Sequence, residues 1–536
     1  MKLFRSTALV SALTFTSRLF GFVREHLVAR IFGASALTDA FFIAFRIPNM
    51  LRQFFSEGAF ATAFVPVLSD YKINRTPEEK RALIDHVAGT LGAILLLVAG
   101  IGVLAAPVLV SIFAPGYWKQ PEQFALTVDL LRITFPYVFF VSLCGFSAGI
   151  LNAHGRFAVP ALTPILLNIA MIFGALTLAD RFAVPIKGLA WSVILGGIIQ
   201  LAVQVPALIR LGLLPRPRWN WQDSGVRKIV KNMVPTMFGA SVAQINLLVD
   251  TAIASAIMVG AVSWLNNADR LLQFPQGVFG VALSAVILPH LSRRFVEGDG
   301  PGYQRSLDWA LRSALIIGVP ACITMVLCAD ALVWAVFGYG KYGARDVEMA
   351  SLSLKTLALG FPAFIAVKVL APAFFARMDT RTPVKAALAS MVSNMLLCAL
   401  FVGLMMHVWK YHAPHVGISL ASAIAGYVNA LLLLYWLRRQ AVFMPQPRWW
   451  LFLSQLAAAG AALVAVMLGA RALLFDYLGL SFASISPALR FGWLLSALGI
   501  GANIYLGTLM LCGIRLKQLL DPGEASPKAR AVKTNP

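Results

Sequence analysis

Apolar runs of 20 or more residues recur from one end of this chain to the other, among them Val87–Phe113, Leu311–Phe337 and Leu451–Leu474. Wound as helices, runs of that length cross a hydrocarbon layer about 30 Å thick. The chain is 59% hydrophobic and only 13% charged, where an ordinary soluble domain carries about 25% charged residues. The reading is an all-α polytopic membrane protein. Fourteen spans are predicted, at 6–29, 36–68, 83–113, 124–151, 158–179, 186–210, 226–257, 263–292, 305–337, 348–376, 383–407, 415–438, 449–475 and 488–512.

The formal net charge is +22. In a soluble protein that excess would suggest nucleic acid. Here the basic residues crowd into short loops after even-numbered spans, such as Lys72, Arg75, Lys80 and Arg81, or Arg210, Arg216 and Arg218. The positive-inside rule accounts for them, excludes nucleic acid as the cargo and places both termini in the cytoplasm. Met1 to Arg5 look like the start of a signal peptide, but Arg18 and Arg24 interrupt the apolar stretch behind them, so this stretch reads as a retained first span. The five cysteines lie in apolar segments without a CxxC pair and read as small core residues. His407, His412 and His415 read as part of a solvated outer loop. No phosphate loop or metal-ligand cluster appears, so the chain reads as a transporter and not an enzyme.

The chain repeats itself. Pro66 and Pro289 both sit in P-x-L-S, Pro160 pairs with Pro383, Phe135-Pro136 with Phe361-Pro362, and Asn168 with Asn394, all at nearly constant spacing. Spans one to six thus align with seven to twelve in the same orientation, giving two six-helix lobes in parallel repeat plus two extra C-terminal helices. Such lobes place a cargo site near mid-membrane. The expected divisions are 1–218 for the N-lobe, 219–445 for the C-lobe, 446–515 for the two extra helices and 516–536 for a polar, disordered cytoplasmic tail.

Charges inside the spans carry the chemistry. Arg18 and Arg24 in the first span, Arg52 in the second and Arg270 in the eighth cost several kcal/mol in hydrocarbon unless they face water or a partner, roughly 2.5 to 17 by different measures. Arg18 lies about 18 Å into its span at 1.5 Å per residue, too deep to snorkel easily. Ser17, Gly21 and Glu25 share a broad face with the two arginines, and Gly21 leaves room for a ligand or a second backbone. The second span opens at Asp39 and carries a polar stripe of Arg46, Asn49, Gln53 and Glu57 with Arg52 beside it; Pro48 is placed to kink it. Glu57 reads equally as a cargo contact or as one end of an ion pair. Asp269 reads as a local partner of Arg270 or as facing another helix. A positive cavity calls for an anion, and the five-donor guanidinium fork suits a diphosphate, whose oxygens it can bind in pairs. Lys368, midway along the tenth span, reads first as a packed or paired lysine.

The stretch Ser17–Tyr71 contains S-R-L-x-G-F-x-R-E, V-A-R-I-F-G-A, T-D-A-F-F-x-A-F, P-N-x-L-R and E-G-A-F-x-x-A-F-V-P; N-x-x-x-R-F lies at Asn152–Phe157, W-x-x-x-A-D-R-L at Trp264–Leu271, Y-G-K at Tyr339–Lys341 and V-K-V-L-A-P at Val367–Pro372. In these motifs the chain closely resembles the MurJ/MviN family of bacterial lipid II flippases, in the MATE-like exporter superfamily. The resemblance implies a fourteen-helix protein of the bacterial inner membrane. Its cargo is lipid II, the undecaprenyl-diphosphate-linked peptidoglycan precursor, moved from the cytoplasmic to the periplasmic leaflet by alternating access. Membrane lipids and wall-synthesis proteins are the implied partners. The family's cargo arginines fall on Arg18, Arg24, Arg52 and Arg270, and Ser17, Asp39 and Glu57 also match functional positions. Glu25 replaces the Asp usual in the family, and Gln273 stands where some relatives have Glu. Helices thirteen and fourteen in the family form a groove for the lipid tail. Some members bind sodium between helices seven and eleven, which here would involve Asp250 and Asn394, with Ser390 a further partner; the acid expected on helix eleven is missing. A coupling ion, sodium or proton, is thus implied without a complete site. Two other readings fit the residues: a flippase for another polyprenyl-diphosphate oligosaccharide, which shares the diphosphate, and an ion-coupled small-molecule exporter on the same fold.

Overall fold

The computed structural model describes residues 2–53 and 59–514, and these contain helices and no strand. Among the described residues ten helical segments are long and apolar enough to cross a membrane, and Ala344–Ala358 with Phe361–Phe375, bent by 44°, adds an eleventh if the pair is one span. The predicted spans at 6–29, 36–68 and 226–257 are helical wherever they are described, as Lys2–Phe32, Ala36–Arg52, Ala59–Asn74 and Ser224–Ile257. These are the segments that carry Arg18, Arg24, Glu25, Asp39, Arg46, Arg52 and Asp250.

Local chemistry fixes several ends. The side chain of Ser35 accepts the backbone N–H of Thr38 and starts Ala36–Arg52; Thr76 and Glu79 form a reciprocal cap for Pro77–Leu104. On Pro77–Leu104, Leu97, Ile101 and Leu104 are exposed, Leu104 by 81%. They recur at i, i+4 and i+7, a stripe suited to lipid tails.

Contacts divide the chain into two units, Met1–Ser263 with Tyr339–Tyr342, and Trp264–Gly338 with Gly343 onward. In the first, the tetrapeptide Tyr339–Tyr342 docks on the end of Lys2–Phe32. The Lys341 N–H donates to the Arg30 carbonyl at 2.9 Å, and the rings of His26 and Tyr339 meet edge to face at 5.2 Å. Gly33 and Gly340 make the approach possible. Both have positive φ, 68° and 60°, and a Cβ on Gly340 would lie 2.3 Å from the Arg30 carbonyl oxygen.

In the second unit, Trp449–Ala472 and Pro487–Leu511 pack together and against Gly300–Leu327 through Leu456, Ala459, Leu463, Met467, Leu494 and Ala497. The Tyr505 hydroxyl donates to the Ile316 carbonyl at 2.9 Å. Asp330 accepts from Lys355 at 3.0 Å and from Arg471 at 3.5 Å, tying the end of the Trp449–Ala472 helix to this unit. The residues 516–536, predicted as a tail, lie outside the described residues. His415 departs from the solvated-loop reading. It is fully buried, its Nε2 donates to the Met349 carbonyl at 3.1 Å, and its ring lies 5.1 Å from that of Trp264. A neutral imidazole can be buried this way because one nitrogen donates while its apolar edge packs on an indole.

Candidate functional site

Arg24 is 9% exposed and Glu25 3%. Their side chains form an ion pair, and the other arm of Arg24 donates to Asn168 Oδ1 at 2.9 Å and to Met171 Sδ at 3.6 Å. Asn168, on Ala158–Phe173, also donates from Nδ2 to the Ser17 carbonyl at 3.1 Å. A Cβ on Gly21 would sit 3.6 Å from that nitrogen. The space that Gly21 was expected to leave is therefore shared with the amide of Asn168. The amide bridges two turns of Lys2–Phe32 and orients the guanidinium. Such a buried charge is tolerable because an acid and an amide oxygen both answer it. Arg18, one turn and a half earlier, is exposed, and Ser17 is half-buried.

The polar stripe on Ala36–Arg52 turns toward Ser224–Ile257. Arg46 donates to the Thr251 hydroxyl, and Gln53 accepts from Gln244. Arg52 is half-buried and donates from Nε to Asn49 Oδ1 at 2.9 Å, which fixes its fork through its own helix. Asp39 is 1% exposed. One carboxylate oxygen accepts the Gly260 N–H at 2.6 Å, and the other accepts the N–H of Ser263 at 2.8 Å and its hydroxyl. A carboxylate holding first-turn amides both caps that helix start and complements its dipole. In this arrangement Asp39 orders backbone, a role that its position at the start of the second span did not disclose. Glu57 lies outside the described residues.

On Ala261–Pro275, Gln273 donates to Asp269 and accepts from Arg270 Nη1 at 3.5 Å. Gln273 thus links the two charged neighbours as a neutral donor and acceptor. Asp250 is half-buried in the first unit. Asn394 belongs to the second, and its Oδ1 accepts the Ser422 hydroxyl at 3.4 Å and Cys398 Sγ at 3.6 Å. Ser390 spends its hydroxyl on the Ala425 carbonyl at 2.7 Å. Among the described residues no group of three His, Cys, Asp or Glu side chains converges. Asp250 and Asn394 are one acid and one already engaged amide, too small a set for a hard cation, which takes several oxygens.

An apolar groove of about 400 Å³ runs between Gly300–Leu327 and Trp449–Ala472, lined by Val319, Ile323, Leu453, Leu456, Ala457, Gly460 and Ala461. It offers no hydrogen-bonding side chain. Its chemistry suits an alkyl or isoprenoid chain.

Residues 28–487 match the family described as Lipid II flippase MurJ. A Burkholderia cenocepacia protein named lipid II flippase MurJ is 38% identical over 519 residues, spanning 96% of this chain and 98% of its own. A Vibrio cholerae protein named probable lipid II flippase MurJ is 40% identical over 527 residues, covering 97% and 98%. Among solved structures, one titled lipid II flippase MurJ in an inward closed conformation superposes with a TM-score of 0.77 at 26% identity, covering 94% of this chain and 98% of that one. An inward-facing multidrug-resistance MATE transporter superposes at 0.62 with 14% identity, covering 81% and 98%, which is a likeness of fold.

Proposed function

The chain belongs to the lipid II flippase MurJ family, and on that premise we propose that it carries lipid II from the cytoplasmic to the periplasmic leaflet of a bacterial inner membrane, with both termini in the cytoplasm. The single observation that carries the reading is likeness to named flippases along nearly the whole chain. The side chains supply the means. Arg18, Arg24, Arg52 and Arg270 bind the diphosphate, each guanidinium able to take two oxygens at once. Arg18, exposed, receives it first. Arg24, held by Glu25 and Asn168, takes the phosphate by exchanging these contacts for phosphate oxygens, its position along the helix already set. Asn49 and Gln273 orient Arg52 and Arg270. The isoprenoid tail lies in the apolar groove beside Gly460. Alternating access then exposes the headgroup to one leaflet at a time, and a membrane potential acting on the charges biases it by about 2.3 kcal/mol per charge per 100 mV.

Complementation tests this reading. In a bacterium depleted of its own lipid II flippase, expression of this chain restores growth and rod or coccal shape, and Arg270→Ala at equal abundance does not. Lysis of cells that express the unaltered chain at normal abundance contradicts the reading.

A further inference from the structure

Lys368 is the middle residue of Phe361–Phe375, a 15-residue helix with no other charge. Seven residues separate it from either end, about 10 Å at 1.5 Å per residue. Sequence alone favoured a packed or paired lysine, yet Lys368 is exposed, and no acid lies within ion-pair distance of it among the described residues. Its stem has a defined place. A Cβ on Gly280 would lie 3.3 Å from Lys368 Cγ and 3.3 Å from Ile365 Cδ1, and 3.8 Å from Gln276 Cγ. The lysine therefore rests on the Gly280 backbone beside Gln276, in the π-helical turn Gln276–Gly280.

That turn ends a polar face. Asp269, Gln273, Gln276 and Gly280 follow one another at steps of four, three and four residues, the spacing of one helix side, and Arg270 hydrogen-bonds to Gln273. A lysine snorkelling into lipid would extend over apolar neighbours; this one extends over the continuation of the Arg270 face. Gly280 lies ten residues beyond Arg270, about 15 Å along the helix. The pair spans a large headgroup and not a single small ion.

We propose that Lys368 is a further cargo-binding residue, an ammonium point charge that takes a second oxyanion position on the headgroup, from the diphosphate or from a carboxylate of its peptide. The proposal rests on the flippase reading. An unpaired cation in mid-span is costly until an anion or water meets it, and a compact ammonium with three donors accepts phosphate or carboxylate without the planar match that guanidinium demands.

The experiment measures leaflet transfer of lipid II in cells whose only flippase is this chain. Lys368→Gln lowers transfer roughly tenfold, the size of effect that loss of one charge-assisted contact produces, with membrane abundance unchanged. Lys368→Cys is equally slow, and an aminoethyl methanethiosulfonate, which rebuilds a positive side chain on the thiol, restores it, whereas the sulfonatoethyl reagent does not. The parent chain, whose own cysteines are buried or half-buried, is the control for both reagents. A precursor with amidated peptide carboxylates separates the sources: a defect that persists assigns the contact to the diphosphate, and one that vanishes assigns it to the peptide. Wild-type transfer by Lys368→Gln beside an inactive Arg270→Ala overturns the proposal and leaves the flippase reading intact. So does a Lys368→Cys defect that neither reagent reverses. Wild-type transfer by both variants removes the proposal together with the cargo role of Arg270, whereas absence of transfer by the unaltered chain removes the flippase reading itself.

Discussion

Arg24 shows how a cation is kept in the membrane without being spent. Glu25 beside it and Asn168 across from it hold the guanidinium, so its burial is answered within the protein. Asn168 is the residue the sequence did not rank as functional. It was visible only as one half of a repeat pair with Asn394, because nothing in a lone asparagine says which helix it faces. Its structure-derived role makes a prediction. Asn168→Ala releases both Arg24 and the Ser17 carbonyl, a loss on the order of 1.5 to 3 kcal/mol for a hydrogen bond to a charged group. Lipid II transfer falls at least tenfold while the protein remains in the membrane; transfer at the wild-type rate would separate Arg24 from Asn168 functionally. Asp39 teaches the complement. The residue type and position were legible, but the partners, Gly260 and Ser263, lie more than two hundred residues away and no local pattern points to them.

At the scale of elements, apolar length predicted the helices, whereas the contacts between them needed the fold. The docked segment Tyr339–Tyr342 was recognisable as a motif but not as a contact, since its Gly340 and the Gly33 that follows Lys2–Phe32 matter only once the two stretches meet. Gly340→Ala places a Cβ against the Arg30 carbonyl and strains a positive φ, costing roughly 1 kcal/mol for the backbone and more for the clash. A melting temperature several degrees lower in detergent is expected; an unchanged one would show that the segment adapts. His415 gives a second test. Burial pushes its pKa down to about 4, against a weaker opposing pull from the Met349 carbonyl. The unfolded chain binds the proton from about pH 6.5 downward and the folded one only near pH 4. Stability is therefore full above about pH 6.5 and declines through the window down to about 4, by at most roughly 3 kcal/mol. Thermal unfolding across that window should show the loss, and His415→Gln should flatten it; a parallel pH dependence in the variant would assign the loss elsewhere.

At the scale of the whole molecule, an all-helical chain with mid-span arginines and an apolar groove is the combination a lipid with a charged head and a greasy tail requires. The sequence disclosed the family through its motifs. Glu25, Asn49 and Gln273 lie within three residues of the arginines they hold, but Asn168 lies on another helix and needed the fold. The central claim is that guanidinium groups act on the diphosphate while it crosses. The measurement closest to it is the leaflet accessibility of lipid II in cells that depend on this chain. The unaltered chain should leave the precursor open to an external, impermeant cleaving agent. Depletion of the chain, or its replacement by Arg24→Ala or Arg270→Ala at equal abundance, should leave the precursor protected in the inner leaflet. Equal cleavage in all of these cells would contradict the claim.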